Sequence, residues 1–104
     1  MIILNTLTAK KIEENKEFNY LYRVTENTLN NTKVFGIEIE RIDFIDQIVT
    51  NIERDSIKFI SPKREKVLDL VKILYKNEVS PIHLVDVIGE YVDESVIDFE
   101  KVEI

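Results

Sequence analysis

Apolar and polar residues alternate with period two through much of the first sixty positions. Glu17–Thr25 sets Phe18, Tyr20, Tyr22 and Val24 on one side of a ribbon. Lys33–Arg41 does the same with Phe35, Ile37 and Ile39, while Glu38 and Glu40 point the other way. From Gln47 to Glu53 the alternating positions are Ile48, Thr50 and Ile52. Ile2–Ile12 reads as a further strand, with Leu4 and Leu7 less cleanly phased. Short polar joints at Glu14-Asn15-Lys16, Asn27–Asn31 and Phe44-Ile45-Asp46 separate these runs. Alternation with one solvated face belongs to antiparallel sheets, so the pattern predicts a four-stranded meander. Ile57 and Phe59 have the opposite parity to Ile48, Thr50 and Ile52. A bulge or turn at Arg54-Asp55-Ser56 is therefore expected to bring both sets to the core.

The period then changes. Ser61-Pro62 and Ser80-Pro81 repeat one device, a Ser N-cap followed by Pro at the first helical position. After the first, Val67, Leu70, Val71 and Leu74 follow helical spacing, with Leu68 and Tyr75 widening the stripe. After the second, the apolar set is Leu84, Val85, Ile88, Tyr91 and Val92. Lys76–Val79 is too short for anything but a link between adjacent helices, which gives an αα-hairpin. Gly89 inside the second helix predicts close packing there, onto the sheet or the first helix, since glycine costs roughly 1 kcal/mol against alanine. Ile97, Phe99, Val102 and Ile104 make the acidic end too apolar for a purely solvated tail, and a last edge strand or docking segment is expected. The predicted architecture is α+β in a single domain, residues 1–104: a meander over 1–60, a helical hairpin over 61–93 packed on one face, and the tail or edge strand over 94–104.

Composition narrows the classes of function. A chain of 104 residues that is 44% hydrophobic and 33% charged suits one globular domain. With no cysteine, thiol catalysis, disulfides and thiolate metal sites are excluded. The start lacks the basic residues and the apolar run of roughly 7–15 residues of a secretory signal. No stretch approaches the ~20 apolar residues of a membrane span. The expected place is the cytoplasm, with no membrane partner.

Net charge is −6, the wrong sign for a general polyanion binder, but it is unevenly spread. Residues 1–57 carry −3, residues 58–76 carry +4 and residues 77–104 carry −7. Lys63, Arg64 and Lys66 crowd a helix N-terminus, where free N–H groups already attract anions, and Lys72 follows on the same helix. These four form a candidate site for phosphate or nucleic acid. Pairing with Asp86, Glu90, Asp93 and Glu94 of the next helix is the plainer expectation. His83, the only histidine, stands three residues before Asp86 and seven before Glu90, a spacing that offers a small enzyme or metal site. Phosphate-binding glycine loops, nucleophile elbows and zinc-hydrolase patterns are absent, so no catalytic residue and no cofactor is assigned. Phe18, Tyr20, Tyr22 and Phe35 are read as core; if the helices cover only part of the sheet, a Tyr-rich remainder becomes a partner surface.

Phe35-Gly36-Ile37-Glu38-Ile39-Glu40-Arg41, Arg64-Glu65-Lys66-Val67 and Ser80-Pro81-Ile82-His83-Leu84-Val85-Asp86-Val87-Ile88 resemble a domain-of-unknown-function family of short proteins common in clostridia, over residues 17–93. That resemblance implies a bacterial cytoplasmic protein of one domain and brings no activity or ligand. The function expected from the residues is a non-enzymatic regulatory or protein-interaction module, self-association included. Nucleic-acid or phosphate-ligand binding through the basic first helix, and a small enzyme at His83, are the alternatives.

Overall fold

The computed structural model describes residues 1–100. Four strands, β1 (Ile2–Glu13), β2 (Lys16–Leu29), β3 (Thr32–Ile45) and β4 (Ile48–Ser61), form one antiparallel sheet in sequence order. Helix α1 (Arg64–Lys76), a 3₁₀ turn (Pro81–His83), helix α2 (Leu84–Glu94) and a short helix α3 (Val96–Glu100) follow. This is the α+β meander and helical hairpin that the periodicities predict.

The joints are tighter than the polar clusters suggest. Asn30 and Asn31 both have positive φ, as do Asp46 and Gln47. Two such residues make a type I′ turn, whose twist matches that of the flanking strands. Pairing therefore runs to the last residue before each turn, Leu29 with Thr32 and Ile45 with Ile48. The resulting strands of 12 to 14 residues are long, and 14 residues extend about 46 Å. The molecule measures 54 × 23 × 18 Å. A helix of 13 residues spans only about 20 Å, so much of the sheet projects beyond the helices.

One face of the sheet carries Tyr20, Tyr22, Val24, Phe35, Ile37 and Ile39, all buried against Val67, Leu70, Val71 and Leu74 of α1 and Leu84 and Ile88 of α2. The alternation of β2 and β3 gave this face. Leu4 is out of phase because the β1–β2 register shifts between Ile3 and Asn5. Tyr22 also donates its hydroxyl hydrogen bond to the Val79 carbonyl at 3.0 Å, tying the sheet to the link between the helices; burial pushes its phenol well above the ordinary range.

Strand β4 departs from expectation. Arg54, Asp55 and Ser56 are regularly paired with Glu40, Ile39 and Glu38, so no bulge lies there. The irregularities fall on either side. Thr50 is the extra residue between the Asn51–Asp43 and Val49–Phe44 pairs, and Lys58, Phe59 and Ile60 stand opposite Gly36 alone. Ile52 thus remains on the face away from the helices, half exposed, while the second bulge turns Ile60 rather than Phe59 into the core. At that bulge β4 folds over the open face. A Cβ on Gly36 would overlap the carbonyl oxygens of Ile57 and Lys58 and lie 2.6 Å from the Lys58 carbonyl carbon. Thr25 and Val34, which share the face of Gly36, are buried there.

The helix starts also differ. Ser61 still ends β4, α1 begins at Arg64, and its N-cap is Lys63 without a side-chain cap bond. The Ser61 hydroxyl accepts the Lys63 backbone N–H at 3.1 Å instead. Ser80-Pro81 opens the 3₁₀ turn with Pro at its first position, and α2 starts only at Leu84, with the Ser80 hydroxyl accepting a bond from Arg41. Among the described residues no strand follows α2; Val96–Glu100 are helical, while Val102 and Ile104 lie outside the described residues. No described helix is long and apolar enough to cross a membrane.

The close packing expected at Gly89 is absent. A Cβ there would meet only Val85 Cγ1, at 3.8 Å. Gly89→Ala is accordingly expected to stabilise the chain by about 0.5–1 kcal/mol through helix propensity, read as a higher urea midpoint at unchanged slope.

Candidate functional site

Of the four basic candidates, Lys63, Arg64 and Lys66 are engaged inside the molecule, though not with α2. The Asp98 carboxylate of α3 accepts the Ser61 hydroxyl at 2.9 Å and the Lys66 ammonium at 2.8 Å, with the Lys63 ammonium at 3.3 Å. The hydrogen bond from Lys66, against a desolvation cost and helped by Ser61 and Lys63, holds the Asp98 carboxyl down at about 2. Arg64 donates to the Asn5 side chain of β1 at 3.2 Å. Lys72 is exposed and makes no ion pair among the described residues. The expected partners Asp86, Glu90, Asp93 and Glu94 take none of these cations; the acid that reaches the N-terminus of α1 is Asp98 of α3. Since the folded carboxyl titrates below its ordinary 3.8, its contribution is complete above that pH and fades as pH falls toward about 2. Thermal melts between pH 5 and pH 2 are expected to fall less steeply for Asp98→Asn than for the natural chain.

His83 at the end of the 3₁₀ turn and Asp86 and Glu90 of α2 are all exposed. His83 Nδ1 stands 3.9 Å from Asp86 Oδ2, with both side chains more than half exposed. Among the described residues no three His, Cys, Asp or Glu side chains come together in a way that could hold a metal ion. Chemically, this group can offer a solvated imidazole and carboxylates, without a desolvated partner to set them apart.

Two polar clusters were not anticipated. On the open face, Arg23 donates to Glu38 at 2.7 Å and Glu40 at 3.4 Å, and Arg54 donates to Glu40 at 2.6 Å. The Glu40 side chain is only 9% exposed, so this is a sheltered network. On the other face, beyond the helices, Arg41 makes paired bonds to Asp43 at 2.8 and 3.1 Å, reaches Ser80 at 3.2 Å and lies 5.7 Å above the Phe18 ring. The first cluster joins opposite charges across neighbouring strands; in the second, Arg41 pairs with Asp43 along β3 and with Glu53 of β4 at 3.3 Å, and both read as structural pairs. The arginines carry no sequence signal beyond their place on strands, and only the register shows which carboxylate each one meets. No Tyr-rich surface remains on the projecting sheet, because Tyr20 and Tyr22 are buried.

The residues most out of place are apolar and exposed. Val85 and Tyr91, read as core, are 58% and 45% exposed. Ile82, Val85, Gly89, Val92 and Val96 recur at intervals of three, four, three and four. That is the seam spacing by which one helix packs on another. Leu84 and Ile88 alone turn α2 fully into the core, leaving this seam on its flank, with Val92 half-buried and Ile82, Val85 and Val96 each more than half exposed. Ser95 keeps right-handed helical angles, so the seam continues from α2 into α3. Asp86, Glu90 and Asp93 border it, all exposed. The heptad spacing is legible in the sequence, but the set Leu84, Val85, Ile88, Tyr91 and Val92 merges it with the core stripe.

The family of unknown function DUF6514 matches residues 1–94. The chain belongs to that family. The match takes in β1 as well as the segments over residues 17–93 that carry the resemblance, and it extends to the end of α2. No curated protein and no solved structure matches the chain.

Proposed function

We propose that the protein is a non-enzymatic interaction module that docks a partner protein on the outer seam of α2. The observation that supports this reading is the apolar seam running over about four helical turns from Ile82 to Val96, in which Ile82, Val85 and Val96 are exposed and lie outside the core among the described residues, while Val92 packs its inner side against it. The residues proposed for phosphate or nucleic-acid binding support that alternative less well, since Lys63 and Lys66 already hold Asp98. Placing a photo-crosslinking amino acid at Val85, and separately at Ser56 on the open face, tests the reading in the native cell. A discrete adduct from position 85 and none from position 56 is the expected result. Adducts from position 56 alone, or from neither, overturn it.

A further inference from the structure

Gly89 sits at the midpoint of the seam, and nothing among the described residues explains it. It has an ordinary helical φ, and a methyl group there would meet only Val85 Cγ1 at 3.8 Å. The glycine nevertheless weakens α2. Externally it leaves a notch between Val85 and Val92, where another backbone can approach or a large side chain can seat. A notch at the centre of a heptad seam is suited to a helix, whose knobs repeat at the same period.

Charge selects among helices. The outer border of the seam is formed by Asp86, Glu90 and Asp93, and the only basic group near any of them among the described residues is His83, 3.9 Å from Asp86. A second copy laid antiparallel on the same seam would set these carboxylates against their own counterparts, which opposes that pairing. Nucleic acid and anionic lipid are repelled for the same reason. A helix with an apolar stripe flanked by lysine or arginine meets both features at once.

Resting on the reading of α2 as the docking surface, we infer that the partner is a cationic amphipathic helix, seated along Ile82, Val85 and Val96 with its closest approach at Gly89 and its basic flank against Asp86, Glu90 and Asp93.

The test is a titration of the full chain with three synthetic peptides of about 18 residues, enough for five helical turns. These are an amphipathic leucine–lysine helix, its leucine–glutamate counterpart, and a scrambled leucine–lysine sequence with no helical periodicity. The amphipathic cationic helix is expected to bind, the anionic one not to bind, and the scrambled one to bind at least about 10-fold more weakly. Val85→Glu is expected to weaken binding roughly 30-fold. Gly89→Leu, which improves the helix, is expected to weaken it about 10-fold or more while the chain melts at a higher temperature, so unfolding cannot account for the loss. Ile48→Glu, at the exposed hairpin end of β4 away from α2, leaves binding unchanged. Equal binding of the scrambled peptide, or insensitivity to Val85→Glu and Gly89→Leu, overturns the inference. So does a dimer in sedimentation that Val85→Glu abolishes, because the seam is then occupied by a second copy. Crosslinking from position 85 in cells without binding of the cationic helix would leave the docking surface standing and remove this class of partner.

Discussion

Gly36→Ala is expected to destabilise the protein by about 3 kcal/mol or more, lowering the melting temperature by over about 12 °C. The added methyl has no place to go. It would overlap the carbonyl oxygens of Ile57 and Lys58, which are backbone atoms fixed by the β3–β4 ladder on one side of the bulge and by the burial of Ile60 and Ser61 on the other. Relief requires lifting β4 away from β3 and breaking the ladder beside the bulge. Gly89→Ala makes the same chemical change and is expected to act in the opposite direction, because its methyl enters open space. Urea melts of both variants beside the natural chain check the pair, and equal shifts of one sign would refute the account of β4 folding over Gly36.

The second large effect is expected at Arg23. Its guanidinium bridges Glu38 and Glu40, and all three side chains are no more than 16% exposed. Arg23→Met keeps most of the length and removes the charge, leaving two sheltered carboxylates two residues apart, with Arg54 satisfying only Glu40. Breaking such a pair from one side costs about 3–5 kcal/mol when burial is complete, and about 2–3 kcal/mol is expected here because Arg54 remains. Adding Glu38→Met to Arg23→Met is expected to restore much of the loss, since the uncompensated carboxylate goes with it. Denaturation of the single and double variants measures the coupling directly. A fully additive result would mean that the network carries no mutual stabilisation.

The reach of the sequence can be judged from these residues. Period-two alternation in β2 and β3 placed Tyr22, Val24, Ile37 and Ile39 on the buried face because one side of each strand meets helices and the other meets solvent. Strand β4 lies at an edge, where the exposed Ile48 and Ile52 mimic core positions and where bulges change parity without a compositional mark. Gly36 stood in the alternating run as an unremarked residue; its steric role depends on a strand that folds across it from over twenty positions away. The basic N-terminus of α1 was legible as a cluster, but its partner was not, since Asp98 reaches it only because the chain continues as a helix after Ser95. The outer seam of α2 shows how a correct period leads to a wrong surface: helical spacing reveals stripes, and the fold decides which stripe it covers.

The two-residue turns carry a consequence for how the molecule assembles. Every strand pairs only with its neighbours in sequence, and each hairpin closes across a connection of two residues. Closing such short loops costs little chain entropy, so the sheet zips outward from its turns without waiting for a distant partner. The Asn30-Asn31 and Asp46-Gln47 corners, fixed in type I′ geometry, set the registers of β2–β3 and β3–β4 from opposite ends of β3. Sequence-adjacent pairing of this kind is expected to favour faster folding than a topology in which strands distant in sequence must meet. Helices α1 and α2 are expected to dock on a surface already in register, so that the Tyr22 hydroxyl meets the Val79 carbonyl late in folding.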